Sequence, residues 1–115
     1  VGKRALFCVT TGASAAGCGP GGKEGDVRLL LWPSAYTLRY LGFDVYEPEV
    51  VHGVHGYFEG AEEAALQARL AGVLDGQAGL VAGLDERALM RFNADSDFDE
   101  TGRLKAGAER FSAFI

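Results

Sequence analysis

The stretch that decides the fold is Ala5-Leu6-Phe7-Cys8-Val9-Thr10-Thr11-Gly12-Ala13. Its first five residues form a continuous apolar run, which is typical of a strand buried on both faces of a parallel sheet. The polar Thr-Thr-Gly that follows predicts the end of the strand and the start of a loop. We therefore predict an α/β fold in which Cys8 is a small core residue.

A helix is predicted after the glycine-rich loop that occupies residues 10–25. Asp26 is suited to cap its N-terminus, and apolar residues recur at helical spacing as far as Leu41. Pro33 lacks the N–H that a helix interior requires, so we expect a kink or a break there. Gly42 is expected to end the helix.

A second strand is predicted at residues 43–46, whose side chains alternate in character. Val50 and Val51 follow after Pro48 and are expected to lie in the exit loop of that strand. Because proline cannot donate a ladder hydrogen bond, Pro48 is expected to place the end of the strand near a sheet edge.

Two further helices and a tail complete the predicted order. A helix is expected at residues 62–74, a shorter one from residue 79 to about residue 90, and an irregular tail at residues 93–115. The chain is therefore predicted to be a single partial α/β domain, with a βαβα unit over about residues 1–76 and a short helix and tail over residues 77–115. Two parallel strands bury little area, so we expect this unit to belong to a larger sheet or to need a partner.

The composition argues against several classes of protein. Of the 115 residues, 48% are hydrophobic and 23% are charged, values that argue against an intrinsically disordered chain. The net charge of −5 argues against binding to nucleic acid or to an anionic membrane surface. No apolar run has the length of a membrane span. The two cysteines indicate no disulfide framework, which favours a reducing, cytoplasmic location.

Two phosphate-binding motifs are approximated in the glycine-rich loop, and neither fits. Residues 17–22 satisfy G-x-G-x-x-G, but Pro20 lies inside the motif and the motif begins well after the strand. Residues 17–23 satisfy G-x-x-x-x-G-K, but Glu24 stands where a phosphate loop requires Ser or Thr for Mg²⁺. The loop therefore predicts neither a dinucleotide fingerprint nor a nucleotide-binding P-loop.

No metal site is predicted from the acidic residues or the histidines. The first ligand positions of a calcium-binding loop are matched by Asp95, Asp97 and Asp99. The sixth and twelfth positions, however, lack the Gly and Glu that such a loop requires. His52 and His55 lie in a predicted loop, and the sequence identifies no further ligands to join them.

The candidate binding residues are Thr10, Thr11, Gly12 and Ala13, which follow directly on the buried strand. Ligands of open α/β sheets bind at the carboxyl ends of strands. Threonine hydroxyls and loop N–H groups suit the polar edge of a flavin or a phosphate, and Gly12 permits close approach of the backbone. An ordinary strand-to-loop turn is the alternative interpretation.

Several short motifs occur in a specific order along the chain: TTGAS at residues 10–14, GD at 25–26, LLWP at 30–33 and GFDVYEP at 42–48. Together they resemble the NAD(P)H dehydrogenase (quinone) family, whose pattern is close to T-T-G-G … G-D … L-W-P … G-F-x-V-x-x-P. The tail resembles the family loosely, at residues 98–104.

The resemblance implies a flavodoxin-like parallel sheet, an FAD cofactor and a homodimer. The reaction it implies is two-electron reduction of quinones, in which hydride passes from NAD(P)H to the flavin and then to the quinone. It also implies that Thr10, Thr11, Gly12 and Ala13 lie against the edge of the isoalloxazine ring. In the family pattern the first strands precede the part that matches, so the chain is expected to carry only the C-terminal half of the fold.

The chain departs from the family pattern at three positions. Ala13 stands in place of the second Gly of the pattern. Cys18 and Glu24 occupy the places at which better-known members carry a Tyr and a His, which support the negative charge of reduced flavin. An ionised Glu24 would oppose that charge, so the catalytic residues stay unassigned.

The favoured hypothesis is an FAD-dependent NAD(P)H:quinone oxidoreductase that is represented by its C-terminal portion. One alternative is a non-catalytic fragment or interaction module that retains the βαβ unit. Another is a flavoprotein regulatory subunit of a potassium-efflux system, which resembles the same family. Bound flavin would separate the enzyme hypothesis from the non-catalytic one.

Overall fold

Parallel strand pairing organises the chain in the computed structural model, which describes residues 2–111 and 114–115. The elements are β1 (Arg4–Ala5), β2 (Cys8–Thr10), α1 (Val27–Tyr40), β3 (Asp44–Val45), β4 (Glu49–Val51), α2 (Ala61–Asp75) and α3 (Gln77–Ala82). Strand β1 pairs in parallel with β3, and β2 pairs in parallel with β4. Helix α1 is therefore the crossover from the segment that contains β1 and β2 to the segment that contains β3 and β4. The predicted α/β class and the β-α-β order are confirmed.

The two strand pairs differ in register by one residue. Arg4 pairs with Asp44, whereas Cys8 pairs with Glu49. The segment from β3 to β4 therefore contains one more residue than the segment from β1 to β2. An extra residue of this kind is a β-bulge, and it falls beside Pro48, which has no N–H to offer to a ladder. The bulge separates β1 from β2 and β3 from β4.

Two predictions about the strands are therefore wrong. The apolar run at residues 5–9 does not form one continuous strand, because the bulge interrupts the pairing between β1 and β2. The second strand ends before Pro48, but Val50 and Val51 lie in a further strand, β4, rather than in an exit loop. Pairing resumes after Pro48 because β2 still presents unpaired backbone groups to the chain that follows the bulge.

Arg87 holds the bulge from outside the sheet. Its Nε donates to the carbonyl oxygen of Glu47 at 2.8 Å, and its Nη2 donates to that of Pro48 at 3.0 Å. The same Nη2 lies 3.4 Å from a carboxylate oxygen of Glu49. The guanidinium thus supplies donors to carbonyl groups that the irregular backbone leaves without ladder partners.

Helix α1 begins where the sequence predicts. The Asp26 carboxylate accepts a hydrogen bond from the N–H of Arg28 at 3.0 Å, as an N-cap residue does. Of the kink or break expected at Pro33, the break is wrong, because the helix continues without interruption through that residue. Ala35 is completely buried and Leu38 packs against the core, and this packing holds the helix beyond the proline.

A small apolar core lies between α1 and β3. Its most buried members are Ala35, Val45 and Met90, and partly buried side chains surround them: Phe7, Leu38, Phe43 and Phe92. Cys8 is exposed, so its predicted place in the core is wrong, because no described residue covers that side of β2. The other cysteine, Cys18, is buried in the glycine-rich loop.

The second predicted helix is confirmed as α2, but the third is shorter than predicted. Helix α3 ends at Ala82, and Gly83 leads into a 3₁₀ turn at Leu84–Glu86. Beyond it the chain is extended, and the N–H of Met90 donates to the carbonyl oxygen of Val45 at 2.7 Å. This segment therefore lines the outer edge of β3 in an antiparallel direction instead of continuing as helix.

The C-terminal tail is irregular, as predicted, and docks on α1. It contains a 3₁₀ turn at Asp95–Asp97, and Ser112 and Ala113 lie outside the described residues. Asn93 is 5% exposed and organises the tail, since its side-chain amide donates to the carbonyl oxygen of Glu109 at 2.7 Å. Trp32 of α1 packs against Phe92, just before the tail, with the ring centroids 6.5 Å apart and the ring planes tilted by 48°.

The chain presents a large surface for its length. Its accessible area is 7916 Å², whereas a compact protein of 12.2 kDa exposes about 6,100 Å². The radius of gyration is 17.4 Å, against about 13 Å for a compact domain of this length. Among the helices of the described ranges, none combines the length and the apolar character that crossing a membrane requires.

Candidate functional site

Two loops meet at the carboxyl ends of the parallel strands β2 and β4. The N–H of Thr11 donates to the carbonyl oxygen of Val51, and the N–H of Val54 returns to the carbonyl oxygen of Thr11, each at 2.9 Å. Gly53 has a φ of +70°, a conformation that side chains disfavour, and it turns the second loop back so that its N–H reaches the carbonyl oxygen of Ala13 at 2.9 Å. The first loop is thereby held at this edge by three backbone hydrogen bonds.

Two backbone N–H groups of the first loop stay available. Within the described residues, the N–H groups of Gly12 and Ala13 make no hydrogen bond. Thr10 and Gly12 are exposed, and Ala13 is half-buried. Adjacent free N–H groups at the end of a parallel strand form a place at which carbonyl or phosphate oxygens of a ligand could be bound.

The glycine at position 12 is not required by packing within the described residues. A Cβ there would meet only the carbonyl oxygen of Val54, at 3.8 Å, and the φ of Gly12 is not in the left-handed region. A side chain at this position would instead fill the open side of the loop. The observation fits a surface that a flat ligand approaches closely.

His52 is the residue of this site that sequence reasoning missed. Its Nδ1 lies 2.8 Å from the hydroxyl oxygen of Thr11, although 41 positions separate the two residues. The signal available in the sequence was its place directly after the Val50-Val51 pair. That signal becomes informative only once those valines are known to form β4, opposite β2.

The glycine-rich loop folds as a series of tight turns. The N–H of Cys18 donates to the carbonyl oxygen of Ser14 at 3.0 Å, and the N–H of Val27 donates to that of Cys18 at 2.9 Å, which closes the loop onto α1. Cys18 is 7% exposed, whereas Glu24 is exposed and its carboxylate lies 3.8 Å from Nζ of Lys23. Neither residue forms a described hydrogen bond with the loop at positions 10–13.

An enclosed space in the described part of the chain lies away from this loop. A cavity of about 160 Å³ separates α1 from the tail, and its walls include Trp32, Tyr36, Arg39, Phe92 and Phe111. The candidate binding loop does not line it. The site at the strand ends lies at an open edge of the sheet, where Thr10 and Gly12 are exposed.

The remaining polar candidates serve local structure. The Asp97 carboxylate accepts from the N–H of Ala94 at 2.9 Å. The Thr101 hydroxyl, followed by the N–H groups of Arg103 and Thr101, lowers the pKa of Asp99 below its ordinary value. The described residues contain no cluster of three or more His, Cys, Asp or Glu side chains arranged for a metal ion.

Short parallel strands joined by a helix, with a polar loop at their carboxyl ends, define an α/β protein of the class in which the sheet edge is the usual place for a ligand. The family model described as flavodoxin-like fold matches residues 1–74. Because this match covers well over half of the chain, the chain belongs to the flavodoxin-like fold family.

Two curated relatives agree with this assignment over part of the chain. The chain is 38% identical over 53 residues to NAD(P)H dehydrogenase (quinone) 1 of Cavia porcellus, and equally similar to the protein of that name from Rattus norvegicus. In both cases the matched segment covers 45% of this chain and 19% of the relative. The chain thus matches about a fifth of the length of these relatives, and its likeness to quinone oxidoreductases is partial.

Proposed function

We propose that this chain contributes part of the flavin site of an FAD-dependent NAD(P)H:quinone oxidoreductase. The observation that carries the proposal is the pair of free N–H groups on Gly12 and Ala13, held at the carboxyl end of a parallel strand. The partial likeness to NAD(P)H dehydrogenase (quinone) 1 supports the same reaction class. Thr10 and Thr11 complete the loop that would lie along the flavin.

The residues of the loop fit the polar edge of a flavin ring. When bound, FAD supplies two-electron chemistry, accepting hydride from NAD(P)H and donating it to a quinone. The part of this chain is to bind and orient the ring, since two N–H donors suit ring carbonyl oxygens and the lack of a side chain at Gly12 permits contact. The substrates NAD(P)H and quinone, a homodimeric assembly and a cytoplasmic location belong to the same proposal, with residues 1–115 as a single partial domain.

Residue-specific NMR tests the flavin site. We expect titration of the ¹⁵N-labelled chain with FAD to move the amide resonances of Gly12 and Ala13 in a saturable manner. We expect Gly12→Ala to weaken FAD binding about tenfold, because a methyl group would separate the ring from the loop. The φ of Gly12 suits alanine, so the variant should unfold at the same or a slightly higher urea concentration.

The matched control is Gly72→Ala, which changes a glycine with open space around it inside α2. It should leave FAD binding unchanged and raise the free energy of unfolding by about 0.5–1 kcal/mol. Failure of FAD to bind, or binding that leaves the Gly12 and Ala13 amides unmoved, would contradict the proposed site.

A flavin-binding module without turnover is the second candidate function. The observation that favours it is the state of Cys18 and Glu24, one buried in its own loop and the other an exposed acid. Neither replaces the Tyr and His that support the charge of reduced flavin in the family that the sequence resembles. Quinone-dependent oxidation of NAD(P)H in the presence of FAD separates the two candidates, since only the oxidoreductase shows it.

A further inference from the structure

His52 reaches across the end of the sheet to the candidate flavin loop. Its Nδ1 lies 2.8 Å from Oγ1 of Thr11, and the same Oγ1 lies 2.9 Å from the carbonyl oxygen of Ala13. All three residues are half-buried, so these hydrogen bonds are partly shielded from competing water. The imidazole is thus joined through one hydroxyl to the part of the loop that carries the free N–H groups.

The direction of these hydrogen bonds follows from the groups involved. The carbonyl oxygen of Ala13 can only accept, so the Thr11 hydroxyl donates its single hydrogen to it. The hydroxyl oxygen then accepts from His52, which requires a hydrogen on Nδ1. His52 therefore acts as a donor, and its ring orientation and Nδ1–H form are set by Thr11.

The backbone of His52 is itself held by α2. Nη2 of Arg69 donates to the carbonyl oxygen of His52 at 2.8 Å. The N–H of the neighbouring Gly53 donates to the Ala13 carbonyl oxygen that Thr11 also contacts. These two hydrogen bonds fix the peptide group between His52 and Gly53, and the imidazole itself is held by its contact with Thr11.

We infer that His52 is a positioning residue of the flavin site, an inference that rests on the proposed function. By donating to Thr11, it holds that hydroxyl on the Ala13 carbonyl oxygen and so keeps the Gly12 and Ala13 N–H groups facing outward. His52 does not touch the flavin itself. Without it, the loop keeps its three backbone hydrogen bonds but loses the side-chain contact with the residue that follows β4, and the two donors are held less firmly for a flat ligand.

The position of the donor on the side chain gives a sharp test. In His52→Asn the amide nitrogen is attached to Cγ, as Nδ1 is in histidine, so it can donate to Thr11. In His52→Gln the amide nitrogen is one atom further from the backbone, and His52→Leu has no donor. We expect the Leu variant to bind FAD about tenfold more weakly, the Gln variant to resemble it, and the Asn variant to regain affinity to within about threefold of the unmodified chain.

His55→Leu is the matched control. His55 lies in the same loop, but its ring contacts Phe58, with centroids 4.4 Å apart, and not the Thr11 loop. It should therefore leave FAD affinity within about twofold of the unmodified chain. Thr11→Val should weaken FAD binding as His52→Leu does, and combining the two should cause little additional loss, because both remove the same hydrogen bond.

The outcomes separate this inference from the proposed function. FAD binding by the unmodified chain with an unaffected His52→Leu variant, or equal losses in the Leu and Asn variants, would overturn the positioning role alone. Absence of FAD binding by the unmodified chain would overturn the proposed function and this inference together.

Discussion

The glycine at position 22 is required by the space around it. A Cβ there would overlap the carbonyl oxygen of Gly17, which also accepts the N–H of Glu24 at 2.9 Å. Because the obstacle is backbone and cannot rotate away, we expect Gly22→Ala to lower the free energy of unfolding by about 1–3 kcal/mol. Equilibrium unfolding in urea measures the change.

The control for this substitution is Gly56→Ala. The space around Gly56 is open and its φ is not in the left-handed region, so the added methyl group should leave the free energy of unfolding unchanged or slightly higher. Equal unfolding midpoints for the two variants would show that the turn between Gly17 and Glu24 is not formed as described.

Asp99 makes the tail turn sensitive to acid. Its carboxylate accepts from the Thr101 hydroxyl at 2.6 Å and from the N–H of Thr101 at 2.8 Å, and these bonds, with one from the N–H of Arg103, lower its pKa. Because the pKa is lower in the folded turn, the ionised carboxylate stabilises the turn fully when the pH is above the ordinary carboxyl pKa of about 3.9. This stabilisation is lost as the pH falls through the lower pKa of the folded turn. We expect the Thr101 amide resonance to titrate with a midpoint below about 3.9.

The variant Asp99→Asn should abolish that titration, because an amide side chain does not ionise in this range. A midpoint at or above the ordinary carboxyl value in the unmodified chain would contradict the described hydrogen bonds to Asp99.

At the scale of the elements, the bulge depends on Arg87. In Arg87→Ala the carbonyl groups of Glu47 and Pro48 lose the donors that lie at 2.8 and 3.0 Å. We expect the free energy of unfolding to fall by about 1–3 kcal/mol, the usual cost of leaving a partly buried acceptor unsatisfied. Amide hydrogen-exchange measurements on β2 and β4 would show whether the loss of stability is located at the bulge.

Arg110→Ala is the control for Arg87→Ala, since Arg110 is exposed and forms no hydrogen bond within the described residues. Its removal should change the free energy of unfolding by less than about 0.5 kcal/mol. If both arginine variants lose the same stability, Arg87 does not hold the bulge.

The same elements show how far the sequence determines the fold. Helices α1 and α2 were predictable, because the Asp26 cap and the spacing of apolar residues are local signals. The bulge was not, because Pro48 is held in place by Arg87, a residue far away in sequence whose role only the folded chain defines. The persistence of α1 through Pro33 likewise depends on the tertiary burial of Ala35.

The candidate site was predictable to the same extent. The loop at residues 10–13 stood out because it follows an apolar strand, and a polar loop in that place is where α/β proteins bind ligands. The proximity of His52 to Thr11 was not predictable, because it requires the register of β2 against β4. Cys8 was misassigned because an apolar run does not show which of its faces the rest of the chain covers.

At the scale of the whole molecule, the chain exposes a large accessible surface and buries only a small apolar core. Its area exceeds that of a compact protein of equal mass by roughly 1,800 Å², an amount typical of a specific protein interface. Large apolar side chains are exposed on the surface, among them Leu30, Tyr40, Leu41 and Leu74. We therefore expect the isolated chain to be weakly stable.

Urea unfolding of the isolated chain tests this expectation. The dependence of the unfolding free energy on urea follows the area exposed, so its slope should lie near or below about 1 kcal/mol per molar, the low end for small proteins. FAD, if it binds as proposed, should raise the unfolding midpoint in proportion to the logarithm of its concentration. A sharp, highly cooperative transition at high temperature without FAD would contradict the expectation.

The one-residue bulge beside Pro48 also decides which side chain faces Thr11. If the register of β1 against β3 continued unchanged, the residue opposite Thr11 would be Val51, whose branched hydrocarbon group offers nothing to a hydroxyl. The inserted residue advances the chain by one position and brings the imidazole of His52 there instead. A single irregularity in the backbone, several residues upstream, thereby replaces an apolar side chain with a hydrogen-bonding one at the edge of the sheet where the cofactor is proposed to bind.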